Sequence, residues 1–91
     1  MICPWCEFSG VARAMHAHFG DSHADVVRTE ERGGRFYYAV TCPKCGADSR
    51  HVIRKNNPEF LAEFDQEIRM VALDMLVHHL VAEQEAQETG V

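Results

Sequence analysis

The apolar positions of this 91-residue chain change period twice, and each change marks a new element. Val11, Ala12, Met15 and Phe19 recur at helical spacing behind Ser9, whose hydroxyl can cap free amides, and Gly20 with Asp21 closes the run. A short helix is predicted over residues 9–19. Asp25, Val26, Val27 and Arg28 then lead through a charged stretch to Gly33 and Gly34, and residues 35–41 (Arg-Phe-Tyr-Tyr-Ala-Val-Thr) are aromatic and β-branched. That is the signature of a hairpin. Residues 50–55 either return as a third strand or remain a loop. Asn57 can cap a helix whose first residue is Pro58, which has no amide to lose there. Behind it Phe60, Leu61, Phe64, Ile68, Val71, Met75, His79 and Ala82 trace one stripe. This predicts an amphipathic helix to about residue 85, with a frayed tail beyond. The expected fold class is α+β: a short N-terminal helix, an antiparallel hairpin or three-stranded sheet, and a long C-terminal helix.

Charge is divided between the two ends of the chain. Residues 1–55 carry eight Lys/Arg and six Asp/Glu, whereas residues 56–91 carry Arg69 alone against eight acids. The long helix is therefore acidic, and the chain lacks the broad basic footprint of a non-specific nucleic-acid binder. Residues 70–82 form the most apolar stretch, but Asp74, His78 and His79 interrupt it and it is too short to span a bilayer. No membrane role is expected. The length suits a single domain, residues 1–91, divided into a module over 1–23, a hairpin with a knuckle over 24–55, and a helix over 56–87. A domain this small commonly needs a staple.

The cysteines supply a candidate. Cys3, Cys6, Cys42 and Cys45 fall in two Cys-Pro-x-Cys turns, and Gly46 follows the second. Each turn brings two thiolates close enough to share one soft cation. No secretory signal precedes Cys3, so a reducing, cytoplasmic setting and bound zinc are expected in preference to disulfides. Two closures are open. The first joins Cys3 and Cys6 to His18 and His23, with spacing C-x2-C-x11-H-x4-H; the second gathers all four cysteines on one ion. In the first case Cys42 and Cys45 need two further donors from His51, His78, His79 or Glu83. His79 and Glu83 lie i, i+4 on one helical face, although His79 can also be a hydrogen-bonded histidine of the apolar stripe. His16 is expected to face solvent.

Residues 1–23 resemble the Cys2His2 zinc fingers, with Met15 where that family has a core leucine and Trp5 or Phe8 as its aromatic. Residues 42–46 look like a zinc-ribbon knuckle. The finger resemblance implies one zinc joining knuckle to helix. It also places Val11, Ala14 and Ala17 at the base-reading positions, and none of them can form a bidentate bond to a base.

The chemistry expected from these residues is structural. Four protein donors close a tetrahedral ion against water, and neither an HExxH pair nor a deaminase-type H-x-E is present. A thioredoxin-like exchange would need a strand before Cys3. The expectation is a non-enzymatic zinc protein that acts as an interaction adaptor or regulator, through a protein partner or through self-association of the long helix, with no small-molecule substrate. The alternative is nucleic-acid binding, in transcriptional control, through Arg50, Arg54 and Lys55, with Arg28, Lys44, His51 and Tyr37 or Tyr38 near by.

Overall fold

A computed structural model describes residues 1–54 and 57–89. The elements are α1 (Ala12–Ser22), a 3-10 turn (Ala24–Val26), β1 (Arg28–Arg32), β2 (Arg35–Thr41), β3 (Asp48–Ile53) and α2 (Pro58–Thr89). The three strands form an antiparallel sheet in the order β1-β2-β3. The fold is thus a small α+β domain.

Local chemistry accounts for most of the boundaries. Gly33 and Gly34 both take positive φ, 58° and 79°, which lets a two-residue turn follow the twist of the hairpin and pairs Arg32 with Arg35. The third strand forms, two residues earlier than the apolar pattern suggests. Asn57 Oδ1 accepts the backbone N–H groups of Glu59 and Phe60 at 2.8 and 3.2 Å, so α2 starts at Pro58 with its first free amides satisfied. At about 1.5 Å per residue its 32 residues are long enough to set the 46 Å long axis of the molecule.

Helix α1 differs from expectation at both ends. Ser9 is paired in extended conformation with Ile2, flanked by bonds between Met1 and Gly10, so it cannot cap; Val11 takes the cap position without a side-chain bond. At the other end the helix runs through Gly20 and Asp21 to Ser22. Gly20 is a contact residue there: a Cβ in its place would overlap the Met70 thioether of α2. His16, expected in solvent, is partly buried and donates from Nε2 to the Met70 carbonyl at 2.8 Å.

The core packs α1 and the inner sheet face against α2. Met15 and Phe19 of α1, Tyr38 and Val40 of β2, and Ile68, Ala72, Leu73, Leu76, Val77 and Leu80 of α2 are buried together, with Cys3 and Cys42 among them. The buried face of α2 is turned from the predicted stripe by about one residue step, or ~100°. Ile68 is shared, but Phe64 and Val71 are 38% and 44% exposed. Residues 70–82 are apolar around most of the circumference, so periodicity alone does not select a face. Arg69 then fixes the rotation. It pairs with Asp65 and donates to the Ala24 and Val27 carbonyls at 2.8 and 2.7 Å, while the Tyr38 hydroxyl donates to Asp65 at 2.8 Å.

Among the described residues no helix is long and apolar enough to cross a membrane.

Candidate metal centres

Each Cys-Pro-x-Cys segment folds into a loop closed by the same backbone bond. The amide of the first cysteine donates to the carbonyl five residues on, Cys3 to Phe8 and Cys42 to Ala47, both at 2.8 Å. In the second loop the Gly46 amide also donates to the Cys42 carbonyl, and Gly46 accepts φ +78° to do so. In both loops the leading cysteine is buried in the core and the trailing one is exposed. One sulfur of each pair is thus anchored and the other faces outward.

Each loop meets a helix that completes a four-donor cluster. In the N-terminal cluster His18 Nε2 lies 3.1 Å from Cys6 Sγ, and His23 Nε2 lies 3.5 Å from Cys3 Sγ. Five helical steps would place the two imidazoles about 140° apart around α1. The backbone leaves helical geometry at His23 (φ −131°, ψ 22°), and the two rings meet with centroids 4.9 Å apart. Phe8 stacks on His18 at 4.1 Å and 11°, and Trp5 lies 5.2 Å from His23. Aromatic packing therefore holds both imidazoles in place.

The second cluster forms where α2 passes the Cys42–Cys45 loop. His79 Nε2 is 3.2 Å from Cys45 Sγ, Glu83 Oε1 is 3.1 Å from His79 Nε2, and the Cys42 thiol lies 3.9 Å from Glu83 Oε2. In each cluster one ligand atom per residue lies within 4.8 Å of all the others. Tetrahedral zinc, with bonds of ~2.3 Å to sulfur and ~2.0 Å to nitrogen, would set its donors roughly 3.3–3.8 Å apart. Both clusters are therefore geometrically suited to a metal ion.

The four cysteines do not converge on one point. Among the described residues each pair belongs to its own group, because Cys3 and Cys6 are tied to α1 and Cys42 and Cys45 to α2. His51 on β3 and exposed His78 belong to neither, and His78 faces Asp74 at 3.8 Å.

Without an ion one thiol in each cluster is held in its neutral form. Burial pushes the Cys3 thiol up, and the neighbouring Glu83 carboxylate pushes the Cys45 thiol up while that thiol holds the Glu83 carboxyl down. A divalent cation reverses the effect on the thiols by stabilising thiolate, so ion uptake is coupled to proton release.

Of the residues expected to meet nucleic acid, Arg28 and Arg50 share the outer sheet face, whereas His51 is in register with buried Tyr38 on the inner face. Arg50 donates to Glu30 at 3.0 Å and to Asp48 at 2.9 Å, and Arg28 binds the same two carboxylates. Glu30 makes Arg50 more basic through that bond, and Arg50 holds the Glu30 carboxyl below its usual range. Arg54 is exposed, and Lys55 lies outside the described residues.

No family model, no curated protein and no solved structure matches this chain. The finger resemblance of residues 1–23 thus rests on the Cys3, Cys6, His18 and His23 geometry alone, and two Cys/His clusters able to hold a metal are what the structure establishes.

Proposed function

We propose that this protein is a non-enzymatic zinc module that acts as an adaptor or regulator by protein contact. The observation that carries this reading is that each cluster contains four protein donors, leaving a tetrahedral ion no vacant position for water or substrate. Sulfur and nitrogen donors favour zinc over the hard cations, which prefer all-oxygen sites. In the N-terminal cluster the ion would join knuckle to helix as in the Cys2His2 fingers. Zinc would then act as a staple for a chain with a small core.

Apolar side chains left outside that core support docking. Ile2 and Val11, beside the N-terminal cluster, are 68% and 72% exposed, and Phe64 and Val71 form an apolar strip on α2. The nucleic-acid alternative draws less support, because the guanidinium of Arg50 is already engaged by Glu30 and Asp48 and a phosphate would have to displace both.

Chelation followed by circular dichroism, alongside binding to labelled DNA and RNA oligonucleotides at low salt, tests the reading. Chelation is expected to unfold the chain, and the oligonucleotides to remain free. Binding that falls steeply with salt and is lost in Arg50→Ala and Arg54→Ala would replace the adaptor reading with the nucleic-acid one.

A further inference from the structure

The two clusters share a loop but not a donor set, and the difference concerns how tightly each would keep its ion. The N-terminal cluster has two thiols and two imidazoles, and Phe8, Trp5 and Phe19 pack on the imidazoles. The second cluster has two thiols, one imidazole and the carboxylate of Glu83. A carboxylate is a harder donor than imidazole and suits zinc less well. No aromatic ring packs on His79 among the described residues, and the Glu83 side chain is 27% exposed on a helical turn beyond the buried Leu80.

The second cluster also has partners to fall back on. Glu83 and His79 are joined directly at 3.1 Å as an i, i+4 pair, and the Cys42 thiol reaches Glu83. Loss of the ion therefore leaves the carboxylate and imidazole satisfied by each other. The N-terminal cluster has no carboxylate to play that part.

We infer that Cys42, Cys45, His79 and Glu83 form an exchangeable zinc site, with Glu83 as its displaceable donor, while the N-terminal site retains its ion. In the exchange an incoming donor takes the coordination position of the Glu83 carboxylate. The carboxylate leaves as an anion into solvent; once the ion has gone and His79 Nε2 has taken a proton from water, the two pair with each other, and no electrons change hands. The C-terminal part of α2 is thereby fastened to the β2–β3 loop when zinc is plentiful and released when it is scarce. This inference rests on the zinc reading of both clusters.

The test is release of zinc from the full-length, zinc-loaded chain to a chromogenic chelator, counted per chain. Wild type is expected to release one ion quickly and one slowly. Cys42→Ser should remove the fast phase and His18→Ala the slow one. Glu83→His, which completes a Cys2His2 set, should slow the fast phase by about tenfold or more, whereas Glu83→Gln should quicken it. Release in a single phase, or a fast phase unmoved by both Glu83 variants, overturns the exchangeable site. One tightly held ion that His18→Ala abolishes also overturns it, but leaves the N-terminal zinc site standing. No zinc at saturation overturns the zinc reading itself.

Discussion

The N-terminal cluster and the Cys42–Cys45 cluster begin from the same loop and end as different cross-links. In the first, the facing pairs Cys6 with His18 and Cys3 with His23 are 12 and 20 residues apart, so an ion there would organise a module contiguous in sequence. In the second, Cys45 to His79 and Cys42 to Glu83 span 34 and 41 residues and join the sheet to α2. Loop-closure entropy barely separates them, since doubling a loop adds only ~0.6 kcal/mol. What distinguishes them is what already holds their donors. Leu73, Leu76 and the Arg69 latch hold α2 in place independently of the second cluster, whereas the Met1–Gly10 loop is short and packs on the core through Met1, Cys3 and Trp5.

The largest effect is expected from removing one thiolate from each loop. Cys3→Ser is expected to cost the N-terminal module its fold. Zinc binding of ~10–16 kcal/mol in finger-like sites is comparable with the ~5–15 kcal/mol stability of a whole domain. Cys42→Ser should leave α1 and most of the sheet intact. Far-UV circular dichroism and amide exchange of the two variants measure the difference, and equal collapse in both would erase the distinction.

A smaller effect is expected where the two helices cross. Gly20→Ala forces a Cβ against the Met70 thioether and should destabilise by ~1–3 kcal/mol as overpacking does. The strain falls on the contact that positions His18 and His23, so denaturant midpoints should drop and zinc should leave the N-terminal cluster sooner. The second cluster should be unaffected.

The smallest effect concerns the latch between the clusters. Burial disfavours the charged form of Asp65, but the bonds from the Tyr38 hydroxyl and Arg69 outweigh it and hold the carboxyl below its ordinary value. A depressed carboxyl contributes stability above its unfolded pKa and loses it as pH falls through the lower folded value. Asp65→Asn should therefore cost about 1 kcal/mol at neutral pH, with the gap from wild type closing below about pH 4. Urea midpoints of both proteins at each pH check this, and both ions should stay bound at neutral pH.

Much of this arrangement was legible in the chain because its signals are local. Gly33-Gly34, Asn57-Pro58 and the two Cys-Pro-x-Cys turns each act within a few residues, and the structure follows them. Three features depend on distant partners and were not legible. The rotation of α2 is decided by Tyr38, Ala24 and Val27 acting on Asp65 and Arg69, not by the apolar pattern of residues 70–82. Gly20 reads as a helix stop until Met70 is placed against it. Glu83 was one of four candidate donors for Cys42 and Cys45, and only the seating of α2 against the β2–β3 loop separates it and His79 from His51 and His78.

Zinc stoichiometry by native mass spectrometry separates two four-donor centres from a single shared one. Wild type is expected to carry two ions, with His18→Ala and Cys42→Ser each losing a different one and the double variant losing both. A single ion that disappears in both Cys3→Ser and Cys42→Ser and survives in His18→Ala would overturn this arrangement, because it would mean that the four cysteines share one site.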